Sequence, residues 1–352
     1  MEVDTPHKMG FRMPAEWAEH EATWLSWPKN PLTFPTEVIG EVEDIFAQMI
    51  SALSQGERVK VLVEDDAMEE KMLGMVTAAG ADLNMVRPMR IRSSDVWIRD
   101  YGPTFLVHPT TGAKAAVKWR FNAWGGKYDD LLYDDITGED VVKSAKVPVF
   151  RPGIVMEGGS IDVNGVGSAL TTEQCLLNKN RNPHLDRKGI EAYLEEYIGT
   201  PNIIWLKSGI EGDDTDGHVD DFARFASTDK VLCSYSQSRA TSNNAVLKVN
   251  LDILKKSVDQ DGKGLKVAKL PMPKPLWLAD EQRFLPASYA NFYIGNKCVL
   301  LPVFKDRNDR KAIGLLQSAF PERRVVPIYA AELVYGYGGI HCVTQQEPTG
   351  ND

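Results

Sequence analysis

The sequence predicts an α/β protein built as a ring of strand-strand-helix-strand units, five in all, around a central pocket. Three observations carry this reading. Short hairpins alternate with helices along the chain, and the hairpin turns recur about 65 residues apart. A polar cluster precedes most of the hairpins. Self-similarity of this length marks a repeat or propeller architecture. Hairpins lying between helices also argue against an ordinary doubly wound α/β sheet.

The chain opens with a strand at 23–27, a helix at 37–53 and a strand at 58–64. That helix carries Val38, Val42, Ile45, Phe46, Met49, Ile50 and Leu53 at helical spacing. A second helix, 66–79, leads to a strand near 83–86. Three full units follow. The first is a hairpin at 159–163 and 168–172 turning at Asn164-Gly165, a helix at 186–198 and a strand at 203–206. The second is a hairpin at 222–227 and 230–235, a helix at 245–258 and a strand at 265–270. The third is a hairpin at 291–294 and 297–303, a helix at 309–320 and a strand at 323–328. A fourth hairpin fits 104–108 and 115–121, closed by a strand at 147–150, with an irregular linker where a helix belongs. The fifth unit requires ring closure, with a C-terminal strand at 342–345 pairing with 23–27. The whole chain, 1–352, then reads as one catalytic domain.

Composition excludes several classes. Of the 352 residues, 43% are apolar and 25% charged, the balance of a globular protein. No window approaches the roughly 20 apolar residues of a membrane span, and the N-terminus lacks the apolar core of a signal peptide. A cytoplasmic protein without a membrane partner is expected. The net charge of −9 argues against nucleic acid, whose binders carry basic patches. The four cysteines, Cys175, Cys233, Cys298 and Cys342, form no C-x-x-C pair, so zinc and redox signatures are missing.

The chemistry concentrates in 212–224, GDDTDGHVDDFAR, where one histidine sits among five aspartates. An EF-hand register with Gly217 in sixth place would start at Gly212 and end at Ala223, where acids are required. Calcium is therefore not expected. If this stretch is extended, His218 and Asp220 share one face. In a ring, equivalent positions converge on the axis. Asp95, Glu157, His218, Asp220 and Cys342, each just before a hairpin or the closing strand, then meet in one pocket. The cluster before the remaining hairpin, PASYAN at 286–291, has no charge and only shapes the wall.

Cys342 is the nucleophile candidate. It follows Gly338-Gly339, where backbone can approach a ligand closely. The other cysteines sit among apolar neighbours and read as core fillers. Carboxylates suit a planar cation, because a guanidinium matches them bidentately. Asp95 and Asp220 are expected to grip such a group on two edges, with Trp97 as a wall. The substrate's charge would also favour the thiolate. His341 is expected to point away from Cys342.

Long motifs resemble the agmatine deiminases, in the peptidyl-arginine deiminase-like branch of the guanidine-modifying (pentein) superfamily. They are FRMPAEW at 11–17, DVWIRDYGPT at 95–104, FNAWGG at 121–126 and MEGGS at 156–160. LLNKNRNP at 176–183, DTDGHVDD at 214–221 and GGIHCVTQQ at 338–346 complete the set. The resemblance implies a five-bladed α/β propeller and hydrolysis of agmatine to N-carbamoylputrescine and ammonia, with no metal and no organic cofactor. It implies Cys342 as nucleophile, His218 as acid/base, Glu157 orienting His218, and Asp95 and Asp220 binding the guanidinium. A homodimer is implied by the resemblance alone. One departure stands out: Tyr337 and Gly339 occupy positions where the family often has glycine and asparagine. Arginine or peptidyl-arginine deimination is the alternative within the same chemistry. A propeller that binds guanidines or polyamines without turnover is the alternative outside it.

Overall fold

The computed structural model describes residues 4–350, so the predicted domain span of 1–352 runs past the described residues at both ends. Five small mixed sheets and one two-stranded hairpin make up the β structure of the described residues. The first sheet has the order β18-β1-β2-β3, from β1 (His20–Ser26), β2 (Arg58–Val63), β3 (Val86–Arg90) and β18 (Gln345–Pro348). The other four are three-stranded. They comprise β4 (Thr104–Val107), β5 (Lys114–Val117) and β6 (Val149–Phe150); then β7 (Asp162–Val163), β8 (Ser168–Thr172) and β9 (Asn202–Leu206). Next come β10 (Ala223–Phe225), β11 (Lys230–Tyr235) and β12 (Lys266–Pro271), then β15 (Tyr293–Ile294), β16 (Cys298–Val303) and β17 (Arg324–Tyr329). In each, the first pair is antiparallel and the second parallel. The remaining hairpin joins β13 (Trp277–Leu278) to β14 (Arg283–Phe284).

A helix fills each parallel crossover, as that connection requires. These are α1 (Ile39–Leu53), α2 (Asp66–Ala78), α3 (Asp134–Ala145), α4 (Arg187–Ile198), α5 (Asn243–Leu254) and α6 (Asp309–Ala319). α1 buries Val42, Ile45, Phe46, Met49, Ile50 and Leu53, the face set by its periodicity. α3 corrects the irregular linker expected between β5 and β6. Its buried face is Asp134, Thr137, Gly138, Val141 and Val142, with only two aliphatic side chains, too weak a stripe to read as amphipathic.

The two ends of the chain meet. β1 pairs antiparallel with β18, with Thr23 opposite Gln346 and Trp24 opposite Gln345. The closing strand therefore lies three residues later than the sequence suggested, and Cys342 stands in the turn before it. Thr344 ends that turn, its hydroxyl donating to the carbonyls of Ile340 and His341 at 3.1 and 2.9 Å. The strand is polar but buried, because its side chains have partners. Glu347 accepts from Trp24 Nε1 at 2.8 Å and pairs with Lys60 and Lys114. Among the described residues, no helix is long and apolar enough to cross a membrane.

Candidate active site

A cavity of about 170 Å³ opens between these sheets. Cys342, Asp100, Trp97 and Trp124 line it, with Tyr128, Asp130, Asp214, Thr33 and Tyr337 among the residues completing the wall. Two glycines allow the approach to the thiol. A Cβ on Gly338 would overlap the Trp97 ring, and one on Gly339 would overlap the Asn291 amide. The family's asparagine therefore has no room at 339 in this chain.

His218 is not on a strand. It precedes the single 3-10 turn Val219–Asp221, so its relation to Asp220 is set by that turn and not by strand alternation. The two still converge, over Gly159. A Cβ there would lie 2.6 Å from His218 Nδ1, 2.9 Å from Asp100 Oδ1 and 3.0 Å from Asp220 Oδ2. Only glycine permits this clustering, which gives the Gly158-Gly159 pair its reason. His218 Nδ1 lies 3.7 Å from Asp100 Oδ1. Glu157 is fully buried; its Oε1 accepts from Arg181 Nε at 2.7 Å, while its Oε2 has no hydrogen-bond partner. Asp220 Oδ2 is bound from the protein side by His341 Nδ1 at 2.7 Å, and His341 Nε2 contacts Glu16 Oε2 at 2.7 Å. His341 thus serves Asp220 and is not among the residues lining the cavity.

The electrostatics follow from burial and a surplus of acids. Burial pushes the Cys342 thiol well above its ordinary range, and the charges of Asp220, Asp221 and Asp100 push it further. Burial alone would lower His218; the charge of Asp100, then the polar contact with the Cys175 side chain and the charge of Asp220, overcome it and hold the ring well above its ordinary value. Asp100 is raised to about 6, first by burial and then by Asp220 and Glu157, against the pull of His218. Asp220 is held low: burial opposes this, but the hydrogen bond and charge of His341 prevail. These directions favour an imidazolium at His218 and a neutral thiol at Cys342.

Beside the residues read from the sequence, Asp100, Asn291, Arg181 and Cys175 join the site. Asp95 is buried one layer behind the cavity wall, bonded to the lining residues Thr33 and Trp97, and Glu157, His218 and Asp220 likewise lie behind the lining side chains. Its Oδ2 accepts from Thr33 Oγ1, from Asn30 Nδ2 at 3.3 Å and from Trp97 Nε1 at 3.2 Å, and its Oδ1 from Val96 N at 2.8 Å. Asp100, in the same motif, lines the wall directly, as Asp130 and Asp214 do. The one-turn helix Ile98–Tyr101 carries it there, and Trp124 Nε1 and Gly159 N donate to it at 2.9 and 3.0 Å. Asn291 donates to Cys342 Sγ at 3.1 Å, so the uncharged 286–291 cluster does more than shape a wall. Arg181 anchors Glu157. Cys175, expected as a core filler, is buried close to Glu157 and His218. A basic residue inside an otherwise polar NKNRNP run was the available signal for Arg181; none pointed to Asn291 or Cys175.

The Porphyromonas-type peptidyl-arginine deiminase family matches residues 12–348. The agmatine deiminase of Stutzerimonas stutzeri is 37% identical over 367 residues, covering 98% of this chain and 98% of the relative. That of Ectopseudomonas mendocina is 38% identical over 367 residues, covering 98% and 97%. The solved agmatine deiminase of Enterococcus faecalis superposes with a TM-score of 0.91 at 33% identity, over 99% of each chain. With residues 12–348 matched, nearly the whole chain, the protein belongs to the Porphyromonas-type peptidyl-arginine deiminase family.

Proposed function

We propose that this chain hydrolyses agmatine to N-carbamoylputrescine and ammonia. The observation that carries the choice of substrate is the charge of the cavity wall. Its ionisable side chains besides Cys342 and the tyrosines are Asp100, Asp130 and Asp214, all acids, and no lysine or arginine lines it. A guanidinium at one end and a primary ammonium at the other suit such a wall. An α-carboxylate, as in arginine, would face acids with no cation to meet it. The relatives named agmatine deiminase support the same choice.

Asp100 and Asp220 bind the guanidinium, which brings positive charge beside the Cys342 thiol and favours its ionisation, the thiol proton leaving to solvent while His218 keeps its own. The thiolate attacks the guanidinium carbon. His218, cationic at rest, gives its proton to the departing nitrogen, and the C–N bond breaks to release ammonia. An S-alkylthiouronium remains on Cys342. The now neutral His218 takes a proton from water and the hydroxide adds to the carbon; the C–S bond then breaks as the adduct's hydroxyl proton passes to the departing sulfur, which restores the neutral thiol and frees the product. Glu157, held by Arg181, supplies negative charge near His218. Trp97 forms the wall that orients the planar group.

The same proposal includes a closed five-bladed propeller of the pentein kind. The β1–β18 pairing and the contacts of β18 with β4 and of β7 with β10 support this.

Ammonia release from agmatine, arginine and a blocked arginyl peptide, measured side by side, tests the reading. Release from agmatine alone is expected, and its loss in Cys342→Ala with agmatine binding retained. Preferential release from arginine or the peptide would overturn the substrate. Binding without release from any of the three would overturn the enzyme in favour of a guanidine-binding protein.

A further inference from the structure

We propose that Glu157, Cys175 and His218 form a site for a soft divalent transition-metal ion, Zn²⁺ being the best fit, distinct from the Cys342 thiol. One ligand atom from each of the three lies within 4.8 Å of the other two, and all three side chains are buried. Zinc takes thiolate, imidazole and carboxylate at about 2.0–2.3 Å in a tetrahedron, which asks the three donors to draw together modestly and leaves the fourth position to water.

The second observation is a set of unused donors. Glu157 Oε2 and both ring nitrogens of His218 are buried without a hydrogen-bond partner. Buried polar atoms are normally satisfied, so three orphans in one place mark a space that a ligand completes. The surroundings are arranged as around a metal. Glu157 Oε1 is fixed by Arg181 Nε at 2.7 Å, which orients the free oxygen. The Cys175 backbone is fixed by Thr172, whose hydroxyl accepts from its N–H at 3.1 Å. Asp100, 3.7 Å from His218 Nδ1, adds negative charge that favours a cation.

A competing cluster, Asp220, Asp221 and Cys342, is less suited. It lacks an imidazole, and its atoms are largely committed: Asn291 donates to Cys342 Sγ and Asp221 Oδ1, and His341 binds Asp220 Oδ2. Under the proposed function, an ion at Glu157–Cys175–His218 displaces the proton that His218 holds at rest and must give to the departing nitrogen. Zn²⁺ is then a reversible inhibitor acting through a thiol that is not the nucleophile. The binding itself does not rest on that reading.

The test is optical and needs no turnover. Co²⁺ is added to the full chain, and the near-ultraviolet thiolate-to-Co²⁺ charge-transfer band is followed in wild type, Cys342→Ser and Cys175→Ser. The band is expected in wild type and Cys342→Ser, and absent in Cys175→Ser, with Zn²⁺ displacing it. Zn²⁺ inhibition of ammonia release should weaken at least tenfold in Cys175→Ser and be reversed by a chelator. A band kept in Cys175→Ser and lost in Cys342→Ser overturns the assignment, as does no band in any protein. If Cys175→Ser does not fold, Glu157→Gln in the Cys342→Ser background decides. Co²⁺ affinity should fall at least tenfold with the band retained; unchanged affinity overturns the site.

Discussion

The Asn291 side chain donates a hydrogen bond to the Cys342 sulfur at 3.1 Å. The same amide donates to Asp221 Oδ1 at 2.9 Å and accepts from His341 N at 2.8 Å, so its orientation is fixed from three sides. With the Gly339 backbone N–H, this amide is a favourable neighbour of a thiol otherwise surrounded by acids, and the bond strengthens as the sulfur becomes anionic. Losing one such charge-assisted bond costs about 1.5–3 kcal/mol. Asn291→Ala should therefore lower kcat roughly 10- to 100-fold. Asn291→Asp should do more, since it places a further carboxylate against the thiol. Iodoacetamide alkylation of Cys342 against pH checks this: the inflection should move to higher pH in both variants, and further in Asn291→Asp.

Asp100 gives the acid limb of the pH profile. Burial raises its carboxyl to about 6, so the group is anionic above that pH and neutral below it. Only the anion grips a guanidinium. Hence kcat/KM for agmatine should fall as pH drops through about 6. Asp100→Asn mimics the protonated form and should lose at least 100-fold at pH 8, about 2.7 kcal/mol or more. Asp95 is also raised to about 6, by burial, but its oxygens are taken by Thr33, Asn30, Trp97 and Val96. Asp95→Asn should keep the acid limb and lose less than tenfold in kcat/KM. The reverse ranking of the two variants would return the guanidinium to Asp95.

How far the sequence could be read depended on where the chemistry lies. Helices with a full apolar stripe, such as Ile39–Leu53, were legible, while Asp134–Ala145, whose buried face is mostly polar and small, was not. Within DVWIRD, two acids stand five residues apart, and no periodicity tells which faces the pocket. The one-turn helix Ile98–Tyr101 decides it by turning Asp100 inward. Asn291 and Cys175 were hidden for another reason. Their neighbours in sequence are uncharged, and their partners lie 51 and 43 residues away, at Cys342 and His218. Such contacts come from the packing of separate units and leave no local pattern.

Tyr337 tests the mouth of the cavity. Its φ of +78° lies in the left-handed region that favours glycine. The strained residue is held from outside: Arg283 stacks on its ring at 3.1 Å, and Glu281 accepts from its hydroxyl, both from the β13–β14 hairpin. Tyr337→Gly should relieve backbone strain of about 1 kcal/mol while removing one wall of the cavity. The expected result is a KM for agmatine raised several-fold, kcat within about threefold, and a Tm unchanged or slightly higher. Arg283→Ala, which only releases the ring, should raise KM in the same direction by less. A tenfold loss of kcat in either variant would show that Tyr337 touches the reacting centre.

Arg181 is expected to carry a large stability effect for a single residue. Its guanidinium is fully buried, bonded to Glu157 Oε1 at 2.7 Å and Asp216 Oδ2 at 2.5 Å, and a further bond reaches the Thr215 carbonyl at 2.8 Å. Removing one partner of a buried pair leaves an uncompensated charge, at about 3–5 kcal/mol. Arg181→Met keeps most of the volume and isolates that loss, read as a fall in the urea midpoint. The pH dependence has a definite sign. Burial raises the Asp216 pKa, but Asn180, Lys127 and Arg181 outweigh it and hold the group below its ordinary value. A depressed carboxylate contributes stability above its unfolded pKa, about 3.9, and that contribution is lost as pH falls through the folded value. The gap between wild type and Arg181→Met should therefore be wide at pH 7 and narrow towards pH 3. An equal gap at both would assign the loss to packing of the arginine stem, with its charge contributing nothing.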